Sequence, residues 1–441
     1  MSVLVRRLRW VAGARSTSAA IANTFVSRFA ILLINFGTGV LVARMLGPEG
    51  RGHYSAMALW PVILCGLSTL GIPVALRYQV RRQSHDRAEL YSTALIIGAT
   101  LGTIVLVVGI VFVPHWLKQY PPEVIRFSQL MMLFAPQIML MYISQAFFEA
   151  RGEFTRSSMM LYLPPSVTLV TLFVLIAVHA LNPYSVVLAY FIPSVLLTAW
   201  VMYLLRASIR IPKHFGSGSR LLFHYGLRAY GLDVLGTLSS QIDQAIVVGL
   251  LSAASFGLYA VALSISGTIR LFSGSLNTVL FPKAAGLEPK GAIELVGRSA
   301  RLTLAFTVVA VPVLMLVLPF VIPLAYGKAY AADILLTRIL LGEALLGTTT
   351  GVLTQAFMAT GRPGFVTVLQ VVGLSTALPL MLFLIPRIGL PGAAFALLGS
   401  TIVRLTLVLV SYPMVLHHPV PRLLLNVQDL RVLRKNLKAA H

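Results

Sequence analysis

Long apolar runs recur along the chain, separated by short charged or Pro/Gly-rich punctuation. Twelve can be drawn, at 20–44, 54–77, 90–114, 126–149, 158–181, 184–206, 222–250, 256–281, 302–325, 332–358, 364–386 and 392–416. Each is near the ~20 residues that a helix needs to cross a bilayer. The pattern predicts an all-α, polytopic membrane protein of twelve transmembrane helices. A basic N-terminal segment (1–19) and a basic tail (417–441) flank two six-helix bundles, 20–206 and 222–416. The linker between them, 207–221, contains Pro212 and the run Gly216-Ser217-Gly218-Ser219 and reads as a flexible connection.

The second half echoes the first. GHYSA (52–56) answers to GLYAV (257–261), SQAFFEARGEF (144–154) to TQAFMATGRPGF (354–365), and NPYSVVLAY (182–190) to LPGAAFALL (390–398). The offsets are 205, 210 and 208 residues, in order and nearly constant. A duplicated six-helix unit in parallel orientation suits an alternating-access transporter with its binding site between the halves.

Composition agrees. The chain is 57% hydrophobic and 11% charged, with a mean hydropathy of +0.86, too few charges for a soluble surface of this size. The net charge of +22 would suggest nucleic acid in a soluble protein. Here the loops account for it: one alternate set, including both termini, carries 24 Lys and Arg and the other set 6. By the positive-inside rule both termini are cytoplasmic, and no nucleic-acid partner is expected. The acid-free N-terminus reads as a retained interfacial segment anchored by Trp10, although its Arg/Ser content also fits a transit peptide. Trp60, Trp116 and Tyr120 read as interface anchors, and the GxxxG pair Gly98/Gly102 as helix packing.

Five arginines remain inside spans: Arg28, Arg228, Arg270, Arg338 and Arg404. Asp233, Thr237, Ser240 and Gln244 lie on one face of the seventh segment, flanked by Gln241 and Asp243. Thr24, Arg28, Asn35 and Thr38 form a similar face on the first segment, and Ser266, Arg270, Gly274 and Asn277 on the eighth. Ionisable groups inside a bilayer face water or each other. These faces therefore line a shared lumen, or they serve as interhelical contacts. Glu343, on the tenth segment, joins them. The polar amides suit sugar hydroxyls and the arginines suit phosphate oxygens. The acids would repel an anion unless paired, and are candidates for binding a coupling ion.

Cys65 is the single cysteine, so there is no intrachain disulfide and no cysteine-based metal site. Neither a GxxxxGK[ST] phosphate loop nor an HExxH pattern occurs, and no catalytic constellation or cofactor is expected. The chain reads as a transporter rather than an enzyme.

LVARMLGPEGRGHYSAMALW (41–60) resembles the first-to-second-helix junction of Wzx-type polysaccharide flippases, in Arg44, Leu46, Gly47, Pro48, Glu49, Gly50, Gly52 and Tyr54. The QAF motifs at Gln145 and Gln355 are similar to that family as well. The resemblance implies a MATE-like fold within the superfamily that also holds multidrug extruders and the lipid II flippase. It implies transport of undecaprenyl-diphosphate-linked oligosaccharide across the bacterial inner membrane by a monomer, with membrane lipids and a polysaccharide polymerase as partners. The family's lumen arginines match Arg28, Arg228 and Arg270 by helix. With Asn35, Gln241, Gln244, Asn277 and Arg338 these form the expected substrate-binding set, and Asp233, Asp243 and Glu343 the ion-coupling set. A cation-coupled small-molecule extruder, a lipid II flippase and a membrane scaffold for polysaccharide assembly are the competing functions.

Overall fold

The computed structural model describes residues 17–82 and 87–424, with side chains from Leu33 onward apart from a few later positions. The N-terminal residues 1–16 and the tail from 425 lie outside the described residues, and with them the interfacial helix expected around Trp10. The helices in order are α1 (Thr17–Leu67), α2 (Ile72–Arg82), α3 (Arg87–Trp116), α4 (Pro122–Met131), α5 (Ala135–Ala150), α6 (Phe154–Ala177) and α7 (Pro183–Leu204). The second half follows with α8 (Phe215–Leu250), α9 (Ala253–Ala285), α10 (Pro289–Val321), α11 (Ile334–Leu353), α12 (Gln355–Ala359), α13 (Pro363–Ile388) and α14 (Leu390–Val415). No strand occurs among the described residues.

α1 is two helices joined at Gly47, whose φ of 67° is open to glycine without steric cost. The Gly47-Pro48 step thus separates the first and second segments. The second segment breaks again between Leu67 and Ile72, where Leu70 has φ 46°, and continues as α2. Among the described residues, eight helices are long and apolar enough to cross a membrane, nine with the pair Leu33–Leu67 and Ile72–Arg82, bent by 48°, counted as one. That is fewer than the twelve expected. The other expected segments fall on the first arm of α1, on α8 and on α9, which carry the polar faces.

The outer surface is apolar where lipid would meet it: Val107 and Val111 on α3, Val170 and Phe173 on α6, Val309 and Phe320 on α10, and Leu382 on α13 are exposed. The largest core crosses the two halves, joining Met57, Trp60 and Tyr120 to Val247, Val248, Tyr259 and Leu340. Trp60 and Tyr120 are therefore core residues and not interface anchors, with exposures of 3% and 4%. Trp60 packs edge-on against Phe112 and Trp116. Gly98 and Gly102 do pack, onto Ile143 and Pro136 of α5.

The halves meet most closely through a reciprocal contact. A Cβ on Gly52 would collide with the carbonyl of Ala253, and a Cβ on Gly257 with the carbonyl of Pro48. Pro48 and Ala253, like Gly52 and Gly257, are 205 residues apart, so the two contacts are one contact seen from either repeat. Around it, at the end of the bundle away from the termini, side chains of one half cap carbonyls of the other. Trp116 Nε1 donates to Ala245 O at 2.7 Å, and Gln119 Nε2 donates to Val248 O and Leu251 O at 2.6 Å each. Tyr330 Oη donates to Ala43 O at 3.2 Å, and Arg44 Nη1 to Leu324 O at 2.6 Å. Val248 and Ala43 again differ by 205 residues.

At the opposite end the described hydrogen bonds between halves come only from the linker and α8. Arg210 N donates to Ser92 Oγ, His214 N to Glu89 Oε1, and Tyr230 Oη to Leu67 O at the break in the second segment. The linker is shorter than expected, because α8 begins at Phe215 and takes Gly216–Ser219 into its first turn. Tertiary packing overrides the weak helix propensity of that run: Gly218 sits against Thr93, and Leu222 is fully buried.

Gly52→Val is expected to overpack the reciprocal contact and cost about 1–3 kcal/mol, lowering the melting temperature of the purified protein in detergent. Gly236→Ala, with nothing within 4 Å of the added Cβ, is expected to leave it unchanged or slightly raised.

Candidate functional site

The polar stripe of α8 runs past two separate environments. Asp233 and Thr237 line a cavity of about 240 Å³ whose other walls are Gly66, Thr69 and Arg77 from the second segment and Tyr142 and Gln145 from α5. The break between α1 and α2 lies on this cavity, in keeping with the rule that irregular backbone at membrane depth borders water or protein. The Asp233 carboxylate is half-buried and feels the charge of Arg77. Arg77 in turn pairs with Glu149 at 2.7 Å. Glu149 also accepts from Gln145 Nε2 at 3.2 Å and Ser157 Oγ at 3.0 Å. This is the QAF motif of the first half at work: Gln145 and Glu149 stand one turn apart on α5.

Ten residues farther along α8, about 15 Å, Asp243 belongs to a second group. It is 7% exposed and accepts from Tyr259 Oη at 2.7 Å. Arg270 of α9 contributes to its electrostatic environment and forms an ion pair with Glu343 of α11 at 2.8 Å. Thr401 Oγ1 of α14 donates to Glu343 Oε1 at 2.9 Å and accepts from Arg404 Nη2 at 3.0 Å. Gly373 on α13 leaves room for the Arg404 stem. Arg270, Glu343, Thr401 and Arg404 thus form a bonded network across α9, α11 and α14, with the Asp243–Tyr259 pair of α8 and α9 near Arg270.

The single face expected from the first, seventh and eighth segments is therefore divided. Asp233 lies in the first-half cavity, while Asp243, Glu343 and Arg270 lie together in the second half. Asn277 is half-buried against Gly351 of α11, and its Oδ1 is buried without a hydrogen-bond partner among the described residues. Gln241 and Gln244 are half-buried on either side of Asp243. Arg228 and Asn35 are exposed. Arg338 is exposed too and donates to Met315 O of α10 at 3.3 Å, apart from both groups. The Arg28 side chain lies outside the described residues. Among those described, no cluster of His, Cys, Asp and Glu could hold a metal ion.

Three contributors escaped the sequence reading. Arg77 and Glu149 stood at expected segment ends, where charge reads as loop. Tyr259 carried no polar-face signal. Arg404 was seen, but nothing in its helix pointed to Thr401 and Glu343 as partners.

Glu343→Ala leaves Arg270 and Arg404 without their shared carboxylate and is expected to cost about 2 kcal/mol, read as a lowered melting temperature in detergent. Arg270→Met with Glu343→Leu is expected to recover much of the loss. Equal losses in the single and double variants would contradict the network.

A family profile described as "Polysaccharide biosynthesis protein" matches residues 41–334. Among curated proteins, no sequence matches the chain. The fold is similar to that of the lipid II flippase MurJ in an inward closed conformation, with a TM-score of 0.74 at 16% identity over 88% of this chain and 86% of that one. It is similar to an inward-facing multidrug resistance MATE family transporter of the MOP superfamily, with a TM-score of 0.69 at 13% identity over 89% and 98%. An outward-facing MATE family transporter gives 0.59 at 14% identity over 89% and 93%. With the matched region running from just before the Gly47 junction through α8 and into α11, well over half of the sequence, the chain belongs to the polysaccharide biosynthesis protein family.

Proposed function

We propose that the protein is a flippase that moves lipid-diphosphate-linked oligosaccharide across the bacterial inner membrane by alternating access, both termini being cytoplasmic. The family match over residues 41–334 carries this reading. The likeness to a lipid II flippase supports it as a fold in which such cargo is moved. In this orientation the bonded end around Gly52 and Gly257 is periplasmic, and the described cavities open toward the cytoplasm. The higher score against the inward-facing MATE transporter than against the outward-facing one agrees with that state.

The charged groups favour a lipid-diphosphate over a cationic drug. Glu343 is occupied by Arg270 and Thr401, so it is poorly placed to receive a cationic substrate. Asp233, with Arg77 as its charged neighbour, is the better candidate for a coupling ion.

In cells lacking this protein, lipid-diphosphate-linked repeat units are expected to accumulate at the cytoplasmic leaflet while surface polysaccharide falls. Restoring the gene is expected to reverse both. Normal polysaccharide with no accumulated intermediate would overturn the reading.

A further inference from the structure

A second recess, about 600 Å³, lies at the termini-side end of the first half, between α2, α6 and α8. Its size is within the roughly 300–1,000 Å³ of ligand sites. Val74, Arg77, Tyr78, Arg81 and Arg82 line it from one face of α2. Glu149 and Tyr225 complete the wall that matters here.

Arginines at a cytoplasmic helix end are ordinary, and in most cases they only fix topology. These are held in place. Glu149 takes bonds from Arg77, Gln145 and Ser157, so its carboxylate is committed and anchors Arg77. Arg81 donates to the backbone oxygen of Glu149 at 2.8 Å and lies over Phe154 at 5.9 Å. Arg82 bonds the Tyr78 hydroxyl and lies over its ring at 5.6 Å. A guanidinium has five N–H donors, so each head keeps donors for an anion while its position is fixed. Three arginines against one glutamate leave the recess doubly positive, matching the two charges of a diphosphate diester.

The same wall carries an aromatic pair. Tyr78 and Tyr225 stack with ring centroids 4.2 Å apart and planes 11° from parallel, joining α2 to α8. With their inner faces against each other and Arg82 over Tyr78, the outer face of Tyr225 is the one left to attract the C–H face of a sugar ring. Arg77 also lines the Asp233 cavity, so the recess adjoins it.

We propose that this recess is the docking site for the diphosphate of the lipid-linked substrate and its first sugar. Arg81 and Arg82 grip phosphate oxygens, and Tyr225, backed by Tyr78, carries the sugar ring. The assignment rests on the flippase reading. The second-half arginines are already engaged, Arg270 with Glu343 and Arg404 with Thr401.

An anionic phospholipid headgroup presents the same phosphate chemistry, so the test separates the two. The full-length protein, in nanodiscs of phosphatidylcholine, is titrated with farnesyl diphosphate and with farnesyl diphosphate bearing one N-acetylglucosamine. Arg81→Glu with Arg82→Glu is expected to weaken both probes about tenfold or more. Tyr225→Ala is expected to weaken only the sugar-bearing probe, and Tyr225→Phe to restore it. Unchanged affinity in the arginine variant, with normal melting and gel-filtration behaviour, overturns the proposal. So does equal displacement of either probe by phosphatidylglycerol. Normal polysaccharide export by a correctly folded arginine variant also overturns the docking site, yet leaves the flippase reading intact; that reading falls only if cells without the protein export normally.

Discussion

Two backbone approaches, Gly52 onto Ala253 and Gly257 onto Pro48, set the geometry of the whole molecule. They allow the second and eighth segments to cross at a distance no side chain would permit. Because both are the same contact repeated at an offset of 205 residues, they mark the pseudo-two-fold relation between halves. Everything else at that end is arranged around them: the indole of Trp116, the amide of Gln119 and the phenol of Tyr330 each reach a carbonyl of the other half. Bonds of this kind are modest singly, about 1 kcal/mol, so a seal made of several can be broken and remade. Closure here confines the described cavities to the other end.

On this shared scaffold the halves have diverged chemically. Glu149 in the first half corresponds to Ala359 in the second by the 210-residue offset of the QAF motifs. In the first half that glutamate organises a cationic recess. The second half instead holds a network in which Glu343 pairs with Arg270 and, through Thr401, reaches Arg404. Removing any one member strands the others in a medium where unpaired charge is expensive. The α8 helix touches both sites, at Asp233 and at Asp243, so a movement of α8 couples them physically.

Much of this was legible in the sequence, for reasons that are themselves physical. Apolar length, the Gly47-Pro48 step and the repeat offsets are local or periodic signals, and they located the helices and the duplication. The polar stripe of α8 was visible as well, but periodicity cannot say that a helix 36 residues long passes from one environment into another. Arg77, Arg81 and Arg82 were hidden because charge was taken as the end of a span, whereas α2 carries helix through to Arg82. The i, i+4 spacing of Arg77 and Arg81 was the available clue. Trp60 and Tyr120 were misplaced because aromatic character suits both an interface and a core, and only the packing of α1 against α3 decides which.

The central claim, which rests on the flippase reading, is that the seal around the Gly52–Gly257 contact opens as the other end of the bundle closes. Spin labels at Lys118 and Lys328 report the end sealed in this structure, and labels at Arg151 and Arg362 the other, in a protein whose single cysteine is replaced by Cys65→Ser. Distance distributions by pulsed electron resonance, with and without a lipid-diphosphate sugar in proteoliposomes, test it directly. The account predicts a second population in which the Lys118–Lys328 separation lengthens while the Arg151–Arg362 separation shortens. Both separations lengthening together, or one end changing while the other stays fixed, would contradict it.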